Sequence, residues 1–397
     1  MVVVGTRPEA IKCAPLILAL KTDPRFTLSV VNTGQHEHYT PPILNWFGIQ
    51  ANHTLSVMAP GQPLALLSGK ILAGLHGVIE AEQPDIVLVQ GDTTTAFIAA
   101  LCAYYAYDFF IRKESPDSPT SGQRHHVHIG HVEAGLRTNN NYAPFPEEAN
   151  RKLIGSLANW HFAPTAAAAH ALFREGQHNN VFITGNTAID ALHIAAQKLK
   201  EKPRPLPQGI EPKHLANPYV LITGHRRENY GEGFQHICEA IQKLAKQFPQ
   251  HYFIYPVHLN QHVQGPVKSL LGKLPNVVLT APLDYPDFVQ LMQNCHLLLT
   301  DSGGLQEEGP ALGKPVLVMR DVTERPEGIQ AGTAKLVGTN AQTIIHHTAT
   351  LLTNQAAYQS MAKAVNPYGD GQASQRILNL LAGETPDTNT FTPTLTP

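Results

Sequence analysis

The sequence is poor in cysteine, and its four cysteines lie far apart. Cys13, Cys102, Cys238 and Cys295 form no closely spaced pair among the 397 residues, which argues against a disulfide framework or a cysteine-based zinc site. Basic residues are not in excess either, because 29 Lys and Arg stand against 31 Asp and Glu. Without a broad positive field to attract nucleic acid, any polyanion site must be local. We expect a reducing, cytoplasmic location and no nucleic-acid partner.

Long apolar runs are also missing. The longest, Ala96–Ile111, contains Asp108 and is shorter than the roughly 18 residues that a membrane helix needs. Met1–Val4 is too short for the apolar core of a signal peptide, so we expect no membrane partner. Histidine, in contrast, is abundant, with 21 residues. They are scattered without metal-ligand spacing, and we expect no metal site.

The length and the hydrophobic pattern predict the fold class. At about 150 residues per domain, the chain suggests two domains. Short β-branched runs alternate with helical patterns in both halves, which is typical of parallel sheets in α/β proteins. We predict two Rossmann-like domains with the active site in the cleft between them, at the carboxyl ends of the strands. The predicted ranges are 1–200 for the N-terminal domain, 201–218 for a Pro-rich linker, 219–366 for the C-terminal domain, 367–383 for a helix that completes the first domain, 384–397 for a flexible tail and 112–126 for an exposed, dispensable loop.

The first motif follows the first predicted strand. Gly5-Thr6-Arg7-Pro8 leads into a helix, and free N–H groups at a helix start attract anions. Arg7 and Lys12 add positive charge near the same point. The alternative is an ordinary strand-to-helix turn with surface cations.

Three carboxylates of the first half are candidates for acid–base chemistry. Asp92 and Glu133 each follow a strand predicted to be buried, and Glu147 follows Pro146. Neighbouring carboxylates raise one another's pKa, which suits proton transfer. The alternatives are a helix N-cap for Asp92 and an ion pair of Glu133 with Arg137 or Arg151.

Two motifs of the second half suit a phosphate. His225 lies between a strand end and two arginines, and Ser302-Gly303-Gly304 opens a helix where small residues let a ligand approach the backbone. Glu308 lies one turn into that helix, within reach of ribose hydroxyls. The alternatives are a solvated basic loop and a tight turn before an acidic helix.

Together these motifs resemble the bacterial non-hydrolysing UDP-N-acetylglucosamine 2-epimerases. Nine blocks occur in family order between Gly5 and about Leu381. They are GTRPEAIK, GDTTT, GHVEAGLRT, PFPEEANR, ITGHRREN, YPVHLN, LTDSGGLQEE, GKPVLVMRDVTERPE and NPYGDGQ.

The resemblance implies a GT-B fold and interconversion of UDP-N-acetylglucosamine and UDP-N-acetylmannosamine for cell-surface polysaccharide synthesis. In the family, anti elimination of UDP gives a 2-acetamidoglucal, and UDP is then added back. The resemblance also implies a homodimer and no cofactor. It leaves open which carboxylate serves which face of C2.

The resemblance further implies roles for individual residues. Those implied as catalytic are Asp92, Glu133, Glu147 and His225. Those implied in substrate binding are Arg7, Lys12, Leu283, Phe288, Ser302, Gly303, Gly304, Glu308 and Arg325. Those implied at a second, activating site are Gln35, His36, Gln62, Arg226 and His258.

Three other functions remain open at this point. A hydrolysing epimerase would release free N-acetylmannosamine and UDP. A GT-B glycosyltransferase shares the fold and the nucleotide grip but does not require three carboxylates in the first domain. A non-enzymatic sensor would bind a nucleotide sugar without turning it over.

Overall fold

The structure is a computed structural model that describes residues 1–113, 126–386 and 389–393. The chain divides into two compact units, of which unit 1 consists of Met1–Ala191 and Gly369–Thr392 and unit 2 of Leu192–Tyr368. Most of the loop predicted at 112–126 lies outside the described residues.

Unit 1 is built on a seven-stranded parallel sheet with the order β3-β2-β1-β4-β5-β6-β7. Its strands are short, and most are apolar on both faces, as buried parallel strands are. The strands are β1 Val2–Val4, β2 Val30–Asn32, β3 His53–Thr54, β4 Ile86–Gln90, β5 His128–Val132, β6 Trp160–Ala163 and β7 Val181–Ile183. The helices in this part of the chain are α1 Arg7–Thr22, α2 Thr40–Phe47, α3 Leu64–Glu82, α4 Thr94–Lys113, α5 Glu147–Leu157, α6 Ala166–Arg174 and α7 Thr187–Glu201.

Unit 2 is built on a six-stranded parallel sheet with the order β10-β9-β8-β11-β12-β13. Its strands are β8 Tyr219–Thr223, β9 Tyr252–Pro256, β10 Val277–Thr280, β11 Leu297–Thr300, β12 Val316–Val318 and β13 Ala334–Leu336. The remaining helices are α8 Pro212–Leu215, α9 Glu232–Gln247, α10 Gln261–Leu271, α11 Tyr285–Asn294, α12 Leu305–Ala311, α13 Pro326–Gln330, α14 Ala341–Thr353, α15 Gln355–Ala362 and α16 Ala373–Leu381.

The strand order reverses once in each sheet. In unit 1 the reversal lies between the adjacent strands β1 and β4, and in unit 2 between β8 and β11. The connections on the two sides of such a point leave in opposite directions, so a crevice opens at the carboxyl ends of the two strands. The turns that follow these four strands carry Arg7, Asp92, His225 and Ser302.

One described helix, α3, is long and apolar enough to cross a membrane by length and composition alone. Leu67, Ile71, Leu75 and Ile79 repeat every four residues along it and are buried in the core of unit 1. This spacing places them on one stripe of the helix, as expected for a helix that packs on a globular core.

The parallel strands expected in both halves are observed, but β3, β6 and α2 of unit 1 were not predicted. The strand β3 has two residues and β6 four, and both have few β-branched residues, so their runs carry a weak signal. The helix α2 begins with Thr40-Pro41-Pro42, and prolines are compatible with the first turn of a helix.

The Pro-rich segment predicted as a linker at 201–218 has side-chain and backbone contacts with unit 2. The two units divide inside α7, between Ala191 and Leu192. The Pro-rich segment belongs to unit 2 and forms hydrogen bonds with it. The buried Gln290 side chain accepts a hydrogen bond from the Arg204 N–H at 2.7 Å and donates one to its carbonyl at 3.0 Å. The Arg204 guanidinium also pairs with Asp287 at 2.5 Å.

The tail predicted to be flexible from residue 384 packs against unit 1 in its described part. Phe391 is 5% exposed, and its N–H donates to the Ile183 carbonyl at the end of β7. Asn389 is also buried and accepts a hydrogen bond from Asn379 on α16. An apolar ring and an amide with a partner explain why a Thr- and Pro-rich segment is ordered here.

The last helix, α16, is capped by a residue from another helix. The buried Asp190 carboxylate on α7 accepts hydrogen bonds from the N–H groups of Ala373 and Ser374, the first residues of α16. Free N–H groups at a helix start need such an acceptor. This contact joins two parts of unit 1 that lie far apart along the chain.

We predict that Asp190→Ala destabilises α16 by about 1 to 2 kcal/mol, because two buried N–H groups lose their acceptor. Faster amide hydrogen exchange in residues 373–378, measured by mass spectrometry, would report this loss. Asp190→Asn keeps one acceptor oxygen and serves as the control, with an intermediate effect. Equal exchange rates in the Ala variant and the wild type would contradict the assignment.

Candidate active site

The first turn of α1 is held by a buried acid. Glu9 is fully buried and accepts hydrogen bonds from the N–H groups of Gly5 and Thr6, at 3.1 and 2.7 Å, and from the hydroxyls of Thr6 and Thr93. Burial raises the pKa of Glu9 to about 7, although these hydrogen bonds act in the opposite direction. Because Thr93 follows β4, this carboxylate ties the Arg7 turn to the Asp92 turn across the point where the strand order reverses.

Gly5 is required by the same packing. A Cβ atom at this position would lie 2.1 Å from the Thr33 hydroxyl and 2.3 Å from the Thr95 hydroxyl. Those two hydroxyls share a hydrogen bond of 2.9 Å. Any side chain would therefore separate β1 from the start of α4.

Glu133 lies in a strained and buried turn directly after β5. Its φ of 64° is in the left-handed region, where a residue other than glycine costs about 1 to 3 kcal/mol. Its side chain is 5% exposed and pairs with the Lys12 ammonium at 2.5 Å. Gln90 donates a second hydrogen bond of 2.5 Å to the same carboxylate oxygen. Strain of this kind persists only where the surroundings impose it, and it concentrates at functional sites.

This pairing changes the interpretation of three charged residues. The alternative role for Glu133, an ion pair with Arg137 or Arg151, is not what the structure has, because Glu133 pairs with Lys12. Arg137 instead pairs with Glu175 at 2.6 Å, whereas Arg151 pairs with Asp92 and Glu148. Lys12, expected beside a diphosphate, lies on α1 and pairs with Glu133.

Asp92 is held from α5. The Arg151 guanidinium pairs with its carboxylate at 2.5 Å, and the Asn150 amide donates to its backbone carbonyl at 2.8 Å. Glu147, the first residue of α5, has an oxygen that is buried and lacks a hydrogen-bond partner among the described residues. The residues at this edge of unit 1 are therefore linked through Arg151, Asn150 and Gln90, and Glu147 can accept a proton or a hydrogen bond from a ligand.

Glu148 has a structural role, as its position predicts. It is fully buried and accepts hydrogen bonds from the N–H groups of Thr138 and Asn139 at 3.0 and 2.9 Å. Burial alone would raise the pKa of Glu148, but these N–H groups and the Arg151 guanidinium hold it below its usual range.

His131 supports the Asp92 turn from β5. This fully buried ring donates from Nε2 to the Gly91 carbonyl at 2.7 Å. Burial lowers the pKa of His131 to about 3, so the ring is neutral and remains a hydrogen-bond donor to the turn at any ordinary pH. His131 lies two residues before Glu133 in the same motif, so the sequence marks it as a candidate. The sequence alone does not distinguish a buried structural histidine from one that contacts a ligand.

The residues of unit 1 that were expected at a second site form hydrogen bonds with other residues of the same unit. Gln35 accepts hydrogen bonds from the N–H and the hydroxyl of Thr95. His36 accepts one from the Arg7 N–H at 3.4 Å, and burial lowers the pKa of His36. Gln62 donates to the Val57 carbonyl. Gln35 and His36 thus adjoin the Arg7 turn, whereas Gln62 lies in the loop before α3.

In unit 2, His225 follows β8 and lies beside the end of β11. Its ring stacks on His258 with centroids 5.4 Å apart, and its Nδ1 is 3.5 Å from the Asp301 carboxylate. Burial lowers the pKa of His225, as do the Arg226 charge and His258, and the Asp301 charge raises it. The His225 side chain is 42% exposed, so part of the ring is open to a ligand.

The turn after β11 places two glycines next to this histidine. A Cβ at Gly303 would lie 2.6 Å from a Glu324 oxygen, whereas a Cβ at Gly304 would meet no atom within 4 Å. The Ser302 N–H donates to the Thr300 hydroxyl at 2.9 Å, which shapes the turn. A side chain at position 303 would collide with Glu324, which accounts for the glycine there. At Gly304 there is space beside the backbone for a ligand.

An ion-pair network surrounds this turn. Its ion pairs were not predicted from the sequence. Glu324 pairs with Arg320 at 2.7 Å and lies 3.7 Å from Arg226. Arg325, expected to bind substrate, pairs with the buried Glu307 at 2.5 Å. Arg320, Glu324 and Arg325 lie in the loop after β12, whereas their partners Arg226 and Glu307 lie on other elements, so spacing along the chain does not reveal those contacts.

The other expected ligands of unit 2 lie on two neighbouring elements. Phe288 is half-buried on α11, and Leu283 is half-buried in the loop that precedes it. Glu308 is half-buried in the first turn of α12. Among residues 1–113, 126–386 and 389–393, no group of three or more His, Cys, Asp and Glu side chains is arranged to hold a metal ion.

Two parallel sheets with one strand-order reversal each, and polar turns at both reversals, define the class of GT-B-like α/β proteins. The family model described as UDP-N-acetylglucosamine 2-epimerase matches residues 18–107 and 118–382. The chain belongs to this family.

Individual relatives are similar over nearly the whole chain. A UDP-N-acetylglucosamine 2-epimerase of Yersinia pestis is 46% identical, and the match covers 96% of this chain and 97% of the relative. The structure of the Neisseria meningitidis UDP-GlcNAc 2-epimerase bound to UDP-GlcNAc has a TM-score of 0.82 at 44% identity and covers 96% of this chain and 99% of that one. The Methanocaldococcus jannaschii enzyme, in complex with UDP-GlcNAc and UDP, has a TM-score of 0.73 at 29% identity, with coverage of 96% and 99%.

We predict that the stability contributed by ionised Glu148 depends on pH. The folded pKa is depressed, so this stability is present above the unfolded pKa of about 4.3 and is lost as the pH falls through the folded value. Glu148→Gln should therefore be destabilised by about 1 to 2 kcal/mol at pH 7, and the difference from wild type should shrink below about pH 4. Urea unfolding at several pH values measures it, and a difference that does not change with pH would contradict the prediction.

Proposed function

We propose that this protein interconverts UDP-N-acetylglucosamine and UDP-N-acetylmannosamine by inverting C2, without hydrolysing the substrate. The observation that carries the proposal is the set of three carboxylates, Asp92, Glu133 and Glu147, at the carboxyl edge of β4 and β5. Membership of the epimerase family supports the substrate class. The product would supply mannosamine units for cell-surface polysaccharide.

The chemistry of the substrate explains why carboxylates are needed. The C2 proton is not next to a carbonyl group, so direct formation of a carbanion is implausible. Cleavage of the C1–O bond comes first, and positive charge grows on the sugar ring. A nearby carboxylate stabilises that charge, and another removes the C2 proton to give the 2-acetamidoglucal.

The second half of the cycle reverses these steps on the other face. UDP adds back at C1 while a carboxylic acid delivers a proton to C2 from the opposite side. The base that took the first proton and the acid that gives the second are therefore different groups. Glu147 has an oxygen without a hydrogen-bond partner among the described residues and suits one of these steps, and Asp92 and Glu133 remain candidates for the other.

Residues of unit 2 would stabilise the departing diphosphate. We propose that His225 and the turn Ser302-Gly303-Gly304 contact its oxygens. The exposed part of the His225 ring and the space beside Gly304 support this role. Phe288 and Leu283 would contact the base, and Glu308 the ribose. Homodimer assembly and an activating second site remain predictions from the resemblance, and a cytoplasmic location remains a prediction from the cysteine content.

Turnover of UDP-N-acetylglucosamine in D2O tests the reaction. We expect deuterium at C2 of both epimers, with the nucleotide still attached, because the proton returned to C2 comes from an acid that exchanges with solvent. Mass spectrometry and NMR of the sugar nucleotides measure this.

The other outcomes point to other functions. Accumulation of free N-acetylmannosamine and UDP would favour a hydrolysing epimerase. Transfer of the sugar to an added acceptor would favour a glycosyltransferase. Binding without any turnover would favour a sensor.

We predict that Lys12→Met lowers kcat and leaves the affinity for UDP nearly unchanged. Lys12 pairs with Glu133, so its loss removes a positive charge from beside a buried carboxylate and disfavours the ionised form of Glu133. The acid limb of the kcat profile should move to higher pH. Steady-state kinetics and UDP titration calorimetry measure these effects.

Lys12→Arg keeps the positive charge and is the matched control. It should retain more activity than the Met variant and a pH profile close to that of the wild type. If Lys12 binds the diphosphate instead, the Met variant will lose affinity for UDP while the pH profile stays in place.

A further inference from the structure

Asp301 is a buried acid that the proposed function does not yet use. It follows β11 directly and precedes the turn Ser302-Gly303-Gly304, and its exposed fraction is 0%. A charged carboxylate at such a depth is costly unless other groups satisfy it. The partners of its two oxygens therefore indicate what it does.

The two oxygens have different surroundings. Oδ2 accepts hydrogen bonds of 2.8 Å from the N–H groups of His225 and Arg226, and Asn229 donates to it at 3.4 Å. Oδ1 is buried and has no hydrogen-bond partner among the described residues. The His225 Nδ1 lies 3.5 Å from Oδ1.

The backbone of the histidine turn is thus fixed by one carboxylate oxygen, while the other faces the ring. Tyr230 and Tyr255 add to this by donating to the carbonyls of His225 and Gly224. His258 packs against one face of the ring. The groups that face His225 are therefore Asp301, Arg226, His258 and the two tyrosines, and Asp301 is the anion among them.

We propose that Asp301 is a positioning residue, which accepts a hydrogen bond from Nδ1–H of His225 and so presents Nε2 to the ligand. The inference rests on the proposed function, in which His225 contacts the diphosphate. Hydrogen bonds of this kind are often long in a free enzyme and shorten when substrate binds, so 3.5 Å is within the range that a small ring movement closes.

The arrangement has two chemical effects. It selects the neutral tautomer with the proton on Nδ1, as a carboxylate does for a catalytic histidine in general. It also stabilises the imidazolium form, in which Nε2–H donates to a diphosphate oxygen as negative charge accumulates there. No bond in the substrate is broken by Asp301 itself.

The wild-type protein already provides one test. In ¹⁵N NMR spectra of the full chain, neutral His225 should carry its proton on Nδ1, with Nε2 unprotonated. The His225 signal can be assigned with His225→Gln. Observation of the opposite tautomer would overturn the proposal, whatever the enzyme's activity.

Asp301→Asn is the main variant. Its oxygen can still accept from the backbone N–H groups, but its amide faces the ring and removes the negative charge. We expect the pKa of His225 to fall, the tautomer to switch, and kcat for UDP-N-acetylglucosamine to drop by about 10- to 100-fold with little change in KM. The basic limb of the kcat profile should move to lower pH, because the imidazolium is lost earlier.

Two comparisons separate this role from a merely structural one. Thr300→Val is the matched control, because it removes hydroxyl bonds from the same turn and should leave the tautomer and pKa of His225 unchanged. In a His225→Gln background, Asp301→Asn should cost far less activity than in the wild type. An unchanged pKa and tautomer in Asp301→Asn, or additive losses in the double variant, would overturn the proposal.

The readouts also distinguish this proposal from the proposed function. If the wild type does not epimerise UDP-N-acetylglucosamine, the proposed reaction fails, but the NMR titration still shows whether Asp301 controls the His225 ring. If the wild type is active and Asp301→Asn leaves kcat, pKa and tautomer unchanged, the positioning role alone fails.

Discussion

The arrangement of this protein depends on one topological constraint, the single reversal of strand order in each parallel sheet. At β1 and β4 in unit 1, and at β8 and β11 in unit 2, the chain leaves adjacent strands in opposite directions. The turns after these strands are therefore free of covering helices, and polar side chains can gather there. These turns carry four of the candidate residues, which are distant along the chain: Arg7 and Asp92 in unit 1, and His225 and Asp301 in unit 2.

Charge compensation is the second theme of the site. Each carboxylate at these strand ends has a partner from another element, because an unpaired charge that is buried or half-buried is costly. Glu133 has Lys12 from α1, and Asp92 has Arg151 from α5. Asp301 instead has the backbone N–H groups of the turn after β8. The partners decide which carboxylates remain ionised and which oxygens can take part in proton transfer.

The sequence was a good guide to the strands and a partial guide to the site. The β-branched runs that form strands such as β4 and β8 are evident in the sequence, because buried parallel strands have a strong composition signal. The short β3 and β6 were missed, and the linker was placed at 201–218, where hydrogen bonds from Gln290 hold the chain to unit 2. Spacing reveals which residues follow a strand, but it does not reveal which side chain will meet another.

The sequence by itself determined the α/β class, the candidate carboxylates and the family resemblance, because these depend on local composition and on motifs in chain order. Only the tertiary structure decided that Lys12 pairs with Glu133 rather than standing alone, that Arg325 is paired with Glu307, and that Asp301 faces His225. Each of these contacts joins residues separated by many positions. Such pairings are set by strand order and helix packing, and no short-range pattern in the chain encodes them.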